Sequence, residues 1–98
     1  MNSQEALTVL RRHQEVLRAR GVRHAALFGS VARGEARPGS DVDIFIELAP
    51  ESELDIFGYV GLKRFIEGLF PERVDVVDRE ALKPHIRGRA ENDAIYAF

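Results

Sequence analysis

Two aspartates separated by one residue, Asp41 and Asp43, open an apolar stretch that otherwise alternates like a half-buried strand. Because successive strand side chains point to opposite faces, the two carboxylates share a face, with Cα atoms about 6.6 Å apart. Two ionised carboxylates roughly 5 Å apart repel by about 3 kcal/mol at an effective dielectric constant near 20. A divalent cation would offset that repulsion, since Mg²⁺ is usually held by one or two carboxylates and substrate phosphates. The pair therefore predicts a metal site.

A third carboxylate, Asp75, interrupts the short apolar run RVDVV in the same manner. Its neighbours Val74 and Val76 would point to the opposite face of a strand. If this strand lies beside the one that carries the aspartate pair, Asp75 joins the same site. The alternative is a solvated residue on an edge strand.

A glycine-serine turn precedes the aspartate pair, and ten residues separate Ser30 from Asp41. Backbone N–H groups and the Ser30 hydroxyl in such a turn can bind phosphate oxygens, and Gly29 lets the backbone approach them closely. Arg33 is placed to add a charge-assisted contact to a triphosphate. Alternatively, Ser30 caps the following turn and Arg33 is an ordinary surface arginine. The turn predicts a phosphate site beside the metal site.

Two kinds of periodicity predict the elements that position these residues. Apolar residues at helical spacing predict three helices: residues 4 to 20 behind Ser3 as N-cap, 54 to 69, and 84 to about 96. Alternating or short apolar runs predict strands at residues 22–28, 41–48 and 73–77. A single helical turn is expected from Ser30 to Arg33, and Asp78 is explained as a helix cap.

The order helix, strand, strand, helix, strand, helix indicates an α+β fold. We expect a small mixed β-sheet with helices packed mainly on one face, which leaves the aspartates on the other. The length of 98 residues suits one domain over residues 1–98.

Composition narrows the chemistry and the partners. The chain has no cysteine and three histidines, which share no metal-ligand spacing, so oxygen ligands are the expected donors. A net charge of -2 lacks the basic excess that long nucleic acid requires, so any nucleotide should be small. No segment approaches the roughly 20 apolar residues of a membrane span, and the N-terminus lacks a signal-peptide pattern. We therefore expect a soluble, cytoplasmic protein.

Gly29-Ser30, ten intervening residues and Asp41-Val42-Asp43 match without a gap the signature of the DNA polymerase beta-like nucleotidyltransferases. The short length, the stretch LFGSVARGEARPGSDVDIFIEL, the later RVDVV and the tail ALKPHIR...AIYAF resemble the minimal nucleotidyltransferases of that superfamily. The resemblance covers nearly the whole chain and implies a nucleotidyltransferase fold.

The resemblance implies transfer of a nucleoside monophosphate from an NTP to an acceptor hydroxyl, with pyrophosphate leaving. Asp41 and Asp43 would hold two Mg²⁺ ions, with Mn²⁺ as an alternative, and Asp75 matches the third carboxylate, which helps to deprotonate the acceptor. Gly29 and Ser30 match the residues that bind the β and γ phosphates. Two such metals stabilise both the attacking and the leaving oxygen, so no side-chain nucleophile is required.

The acceptor is expected to be another protein, because larger family members hold their acceptors with additional domains. Minimal members are typically antitoxins of HEPN-domain ribonuclease toxins. The leading hypothesis is transfer of AMP from ATP to a tyrosine hydroxyl of such a toxin, in an oligomer with that partner. One alternative is an antitoxin that neutralises its partner stoichiometrically without catalysis. The other is a small-molecule enzyme resembling the aminoglycoside-modifying nucleotidyltransferases.

Overall fold

The chain forms a four-stranded mixed sheet with five helices, in a computed structural model that describes residues 1–98. The helices are α1 (Ser3–Arg12), α2 (Gln14–Ala19), α3 (Gly29–Arg33), α4 (Ile56–Glu67) and α5 (Pro84–Asp93), with a 3₁₀ turn at Arg79–Ala81. The strands are β1 (Val22–Phe28), β2 (Val42–Leu48), β3 (Val74–Asp78) and β4 (Ile95–Tyr96). None of the helices has the length and apolar content needed to cross a bilayer.

The sheet has the strand order β3-β2-β1-β4. Strand β2 is antiparallel to β1 and parallel to β3, and β4 is antiparallel to β1 on the outer edge. A parallel pair needs a long crossover connection, which α4 provides between β2 and β3. The sheet is therefore mixed, as the sequence predicts.

The two faces of the sheet are covered unequally. On the first face, 17 buried residues form one core that includes Val42, Ile44 and Ile46 of β2. The core of the second face has only three buried residues, Ala26, Phe45 and Ala90, and the last of these comes from α5. The helices thus pack mainly on one face, and the second face stays partly open.

The prediction of one continuous helix over residues 4 to 20 is wrong, because the helix is interrupted at His13, between α1 and α2. The His13 ring nitrogen Nδ1 lies 2.8 Å from the Val9 carbonyl, the oxygen that a continuing helix would offer to the His13 backbone N–H. That N–H donates to the Leu10 carbonyl instead, at 3.2 Å. The N-cap is Asn2 and not Ser3, because Asn2 and Glu5 form a capping box.

The predicted last helix is also wrong at its end, since α5 stops at Asp93 and the chain continues into β4. Two residues are too few to show a strand period, and β4 exists because the free edge of β1 pairs with it, Ala26 opposite Tyr96. Helix α4 is two residues shorter at each end than the predicted range 54 to 69. Asp78 does cap a helical turn, accepting a hydrogen bond from the Glu80 backbone N–H.

Candidate active site

Sheet register places two of the predicted carboxylates side by side. Asp43 of β2 is paired with Asp75 of β3 in the parallel ladder, and adjacent strands lie about 4.8 Å apart. The residues that alternate with them, Val42 and Val74, point into the first-face core. Both carboxylates therefore project from the second, partly open face. The strand adjacency that the sequence argument required is present.

The electrostatics of this cluster centre on Asp43. Asp41 lies one residue before β2 and is exposed, as is Asp75, whereas Asp43 is half-buried between them. Burial, followed by the negative charges of Asp75 and Asp41, raises the pKa of Asp43 above its ordinary value, and Arg33 acts in the opposite direction. The cluster is thus a crowded group of like charges.

The glycine-serine turn lies directly against the central carboxylate. Phe28 at the end of β1 is opposite Asp43 in the antiparallel ladder, so the next residue, Gly29, turns beside it. Gly29 has a φ of +74°, and a Cβ built there would overlap Oδ2 of Asp43. Only glycine meets both conditions, the left-handed backbone and the close approach. The turn and the carboxylates form one continuous surface.

Ser30 occupies the first turn of α3, a five-residue helix whose N-cap residue, Phe28, makes no side-chain capping hydrogen bond. The Ser30 hydroxyl makes no hydrogen bond within the chain, so the structure gives no support to the capping alternative. The turn therefore leaves a hydroxyl available close to the carboxylates for a phosphate oxygen.

Arg33 differs from the free phosphate-binding arginine that the sequence suggests. Its Nε donates to Glu35 Oε2 at 2.9 Å and its Nη1 to Asp93 Oδ2 at 2.6 Å. The hydrogen bond to Glu35 is the largest cause of a raised pKa of Arg33, and the hydrogen bond to Asp93 is the second. Nη2 keeps its two N–H groups without a partner in the chain. Sequence reasoning missed Asp93, because 60 positions separate it from Arg33 and no local pattern links them.

The donor set of this face fits a hard divalent cation. No three His, Asp or Glu side chains converge closely enough to enclose an ion by themselves. Mg²⁺ needs no such enclosure, because one or two carboxylates suffice when substrate phosphates and water complete its octahedron. Burial, and after it the repulsion from Asp75 and Asp41, raises the pKa of Asp43, and a bound cation would offset that repulsion. Asp43 and Asp75 are therefore suited in type and position to such an ion, and Asp41, two residues before Asp43, adds a third carboxylate of the right type.

A second charged group on the same face holds α5 against the sheet. Arg79 forms ion pairs with Glu47 at 3.6 Å, Glu80 at 3.0 Å and Glu91 of α5 at 2.6 Å. The Tyr96 hydroxyl donates to Glu47 Oε2 at 3.3 Å. Burial and the Glu47 charge both raise the pKa of Tyr96. Glu47 is thus paired with both Arg79 and Tyr96, and this group stabilises the helix that ends at Asp93.

Comparison with known protein families confirms the class that the glycine-serine and aspartate spacing predicts. A family model described as a nucleotidyltransferase domain matches residues 10–97. The chain therefore belongs to the nucleotidyltransferase family. Among curated relatives it is similar to the protein adenylyltransferase MntA of Thermococcus cleftensis, with 35% identity over 95% of this chain and 93% of the relative.

Solved structures confirm the predicted fold. A structure assigned as a minimal nucleotidyltransferase aligns with a TM-score of 0.69 and 33% identity over 97% of this chain and 95% of that one. The Shewanella oneidensis complex of an MNT antitoxin with a tri-AMPylated HEPN toxin aligns with a TM-score of 0.64 over 94% of this chain and 71% of the other. At 18% identity, that second likeness concerns the fold alone.

Proposed function

We propose that this chain is a metal-dependent protein adenylyltransferase that acts as the antitoxin of a HEPN-type ribonuclease toxin. It would transfer AMP from ATP to a hydroxyl of the toxin, most simply that of a tyrosine. The observation that carries the proposal is the pairing of Asp43 with Asp75 on adjacent strands, with Gly29 packed against Asp43. Full-length similarity to a protein adenylyltransferase supports the choice of acceptor class.

The site residues have two roles in the proposed reaction, metal binding and phosphate binding. Asp41, Asp43 and Asp75 would hold two divalent ions, Mg²⁺ or Mn²⁺, which when bound neutralise the phosphates and the developing charge. The Gly29 and Ser30 turn would orient the β and γ phosphates. Arg33, held by Glu35 and Asp93, would offer its free Nη2 donors to the same phosphates.

The chemical step needs no covalent intermediate between the nucleotide and this chain. The acceptor oxygen forms a bond to the α-phosphorus, the bond between that phosphorus and the bridging oxygen breaks, and pyrophosphate leaves. Asp75 is exposed on the open face, so the hydroxyl of a second protein can reach it and pass its proton to the carboxylate. Because the reaction consumes ATP, we propose a cytoplasmic location.

The test is mass spectrometry of a purified HEPN toxin after incubation with this chain, ATP and MgCl₂. We expect the toxin to gain one or more AMP masses, and the Asp43→Asn variant to give none. Glu51→Gln serves as the control, because Glu51 is exposed and lies outside the carboxylate cluster. An unmodified toxin that is still neutralised by Asp43→Asn would contradict the proposal and indicate stoichiometric binding. Transfer to aminoglycosides without transfer to the toxin would indicate a small-molecule enzyme.

A further inference from the structure

Three large apolar side chains lie uncovered on the outer face of α4. Ile56 is 71% exposed, Phe57 82% and Val60 41%. The inner face of the same helix buries Leu62 and Ile66 in the core, so packing within the chain leaves most of Ile56 and Phe57 uncovered. Exposed apolar residues that occur singly are ordinary, but three within two helical turns indicate a contact surface.

Opposite charges lie at the two ends of this stripe. Glu53 and Asp55 precede it, and Lys63 and Arg64 follow it. None of these four side chains forms an ion pair within the chain. The outer face of α4 is thus apolar in its middle, acidic at its start and basic near its end.

We propose that the outer face of α4 (Ile56, Phe57, Val60 and Arg64), together with Glu53 in the segment just before the helix, binds the same surface of a second copy of the chain. A surface with opposite charges at its two ends is complementary to itself when two copies meet antiparallel about a two-fold axis. With the axis between residues 58 and 59, Phe57 of each copy packs on Val60 of the other. The acidic segment before α4 of each copy, which carries Glu53, then lies at the end of the partner's α4 that carries Arg64, and the antiparallel helix dipoles attract each other.

The position of α4 keeps such a dimer compatible with the site on the second face. Helix α4 packs on the first face of the sheet through Leu62 and Ile66, whereas Asp43 projects from the second. Pairing through the outer side of α4 leaves both carboxylate clusters open. The inference is therefore independent of the proposed transfer activity, and either can fail without the other.

The contact is modest in size, which sets the expected affinity. Three apolar side chains supply only part of the roughly 800 Å² per partner found in standard interfaces. We therefore expect a dimer that dissociates in the micromolar range and not a permanent one.

The experiment is sedimentation velocity on the whole chain from about 1 to 100 μM. The wild type should show a concentration-dependent monomer–dimer equilibrium, and Phe57→Glu should be monomeric throughout. Ile86→Glu, at a residue that is 41% exposed on α5, is the matched control and should dimerise like the wild type. Circular dichroism should show unchanged folding for both variants, because neither side chain belongs to the core.

Charge reversal identifies the partner surface. Glu53→Arg and Arg64→Glu should each weaken self-association by about tenfold or more, because each places like charges opposite each other. An equimolar mixture of the two variants should dimerise again, since every contact then joins opposite charges. A monomeric wild type at 100 μM, a dimer indifferent to Phe57→Glu, or a mixture that stays dissociated would each overturn the proposal. If the outer face of α4 binds the toxin and not a second copy of this chain, the wild type will stay monomeric at 100 μM.

Discussion

Replacing Asp43 with asparagine should stabilise the metal-free protein. Asp43 lies beside Asp75 on the adjacent strand and two residues from Asp41. Carboxylates roughly 5 Å apart repel by about 3 kcal/mol at a dielectric constant of 20 and about 1 kcal/mol in bulk water. Because Asp43 is only half-buried, we expect a gain of about 1 kcal/mol, which raises the Tm of a domain of this size by roughly 4–8 °C.

The pH dependence of this gain has a definite sign. An acid whose folded-state pKa is raised costs stability while it is ionised, and the cost disappears below its unfolded-state pKa. Burial and the neighbouring charges raise the pKa of Asp43. The advantage of Asp43→Asn should therefore be complete at neutral pH. It should shrink as the pH falls through the raised pKa towards that of an ordinary aspartate.

The assay is thermal unfolding in EDTA, followed by circular dichroism at several pH values. Glu51→Gln removes an exposed charge elsewhere and should change the Tm by little. Added MgCl₂ should raise the Tm of the wild type more than that of Asp43→Asn. A variant that melts below the wild type in EDTA at neutral pH would refute the crowded-carboxylate reasoning.

Three other substitutions test other parts of the site. Gly29→Ala should cost about 1–2 kcal/mol from its left-handed backbone and should abolish transfer by displacing the adjacent carboxylate. Gly39→Ala is the control, because Gly39 also has a positive φ, +86°, but a Cβ placed there would have nothing within 4 Å. This variant should lose a similar free energy of unfolding in urea but keep its transfer activity. Arg33→Lys loses the planar guanidinium with its fixed set of N–H donors, so calorimetry should show roughly tenfold weaker binding of a non-hydrolysable ATP analogue. An unchanged affinity would show that Arg33 does not contact the nucleotide. Arg79→Met removes the ion pairs with Glu47, Glu80 and Glu91 and should lower the urea midpoint by the equivalent of about 1 kcal/mol, less so at high salt. An unchanged midpoint would show that these pairs together contribute no stability.

Residues close together in the sequence were predictable because their placement follows from local periodicity. Asp41 and Asp43 share a face through the two-residue period of a strand. The Gly-Ser pair after an apolar run likewise marks Gly29 as a turn residue that allows close approach. The break at His13 was not predicted, because a side-chain hydrogen bond to a carbonyl one turn earlier leaves no mark on the apolar spacing.

Periods and spacings within short segments are enough to specify the class of fold, the family and the residue types of the site. Three features become visible only in three dimensions: Asp75 lies beside Asp43, Arg33 is held by Asp93, and β4 pairs with the edge of β1. Each of these joins segments far apart in the chain. Their alignment is set by how the strands register and how α5 packs on the sheet, which no local pattern records.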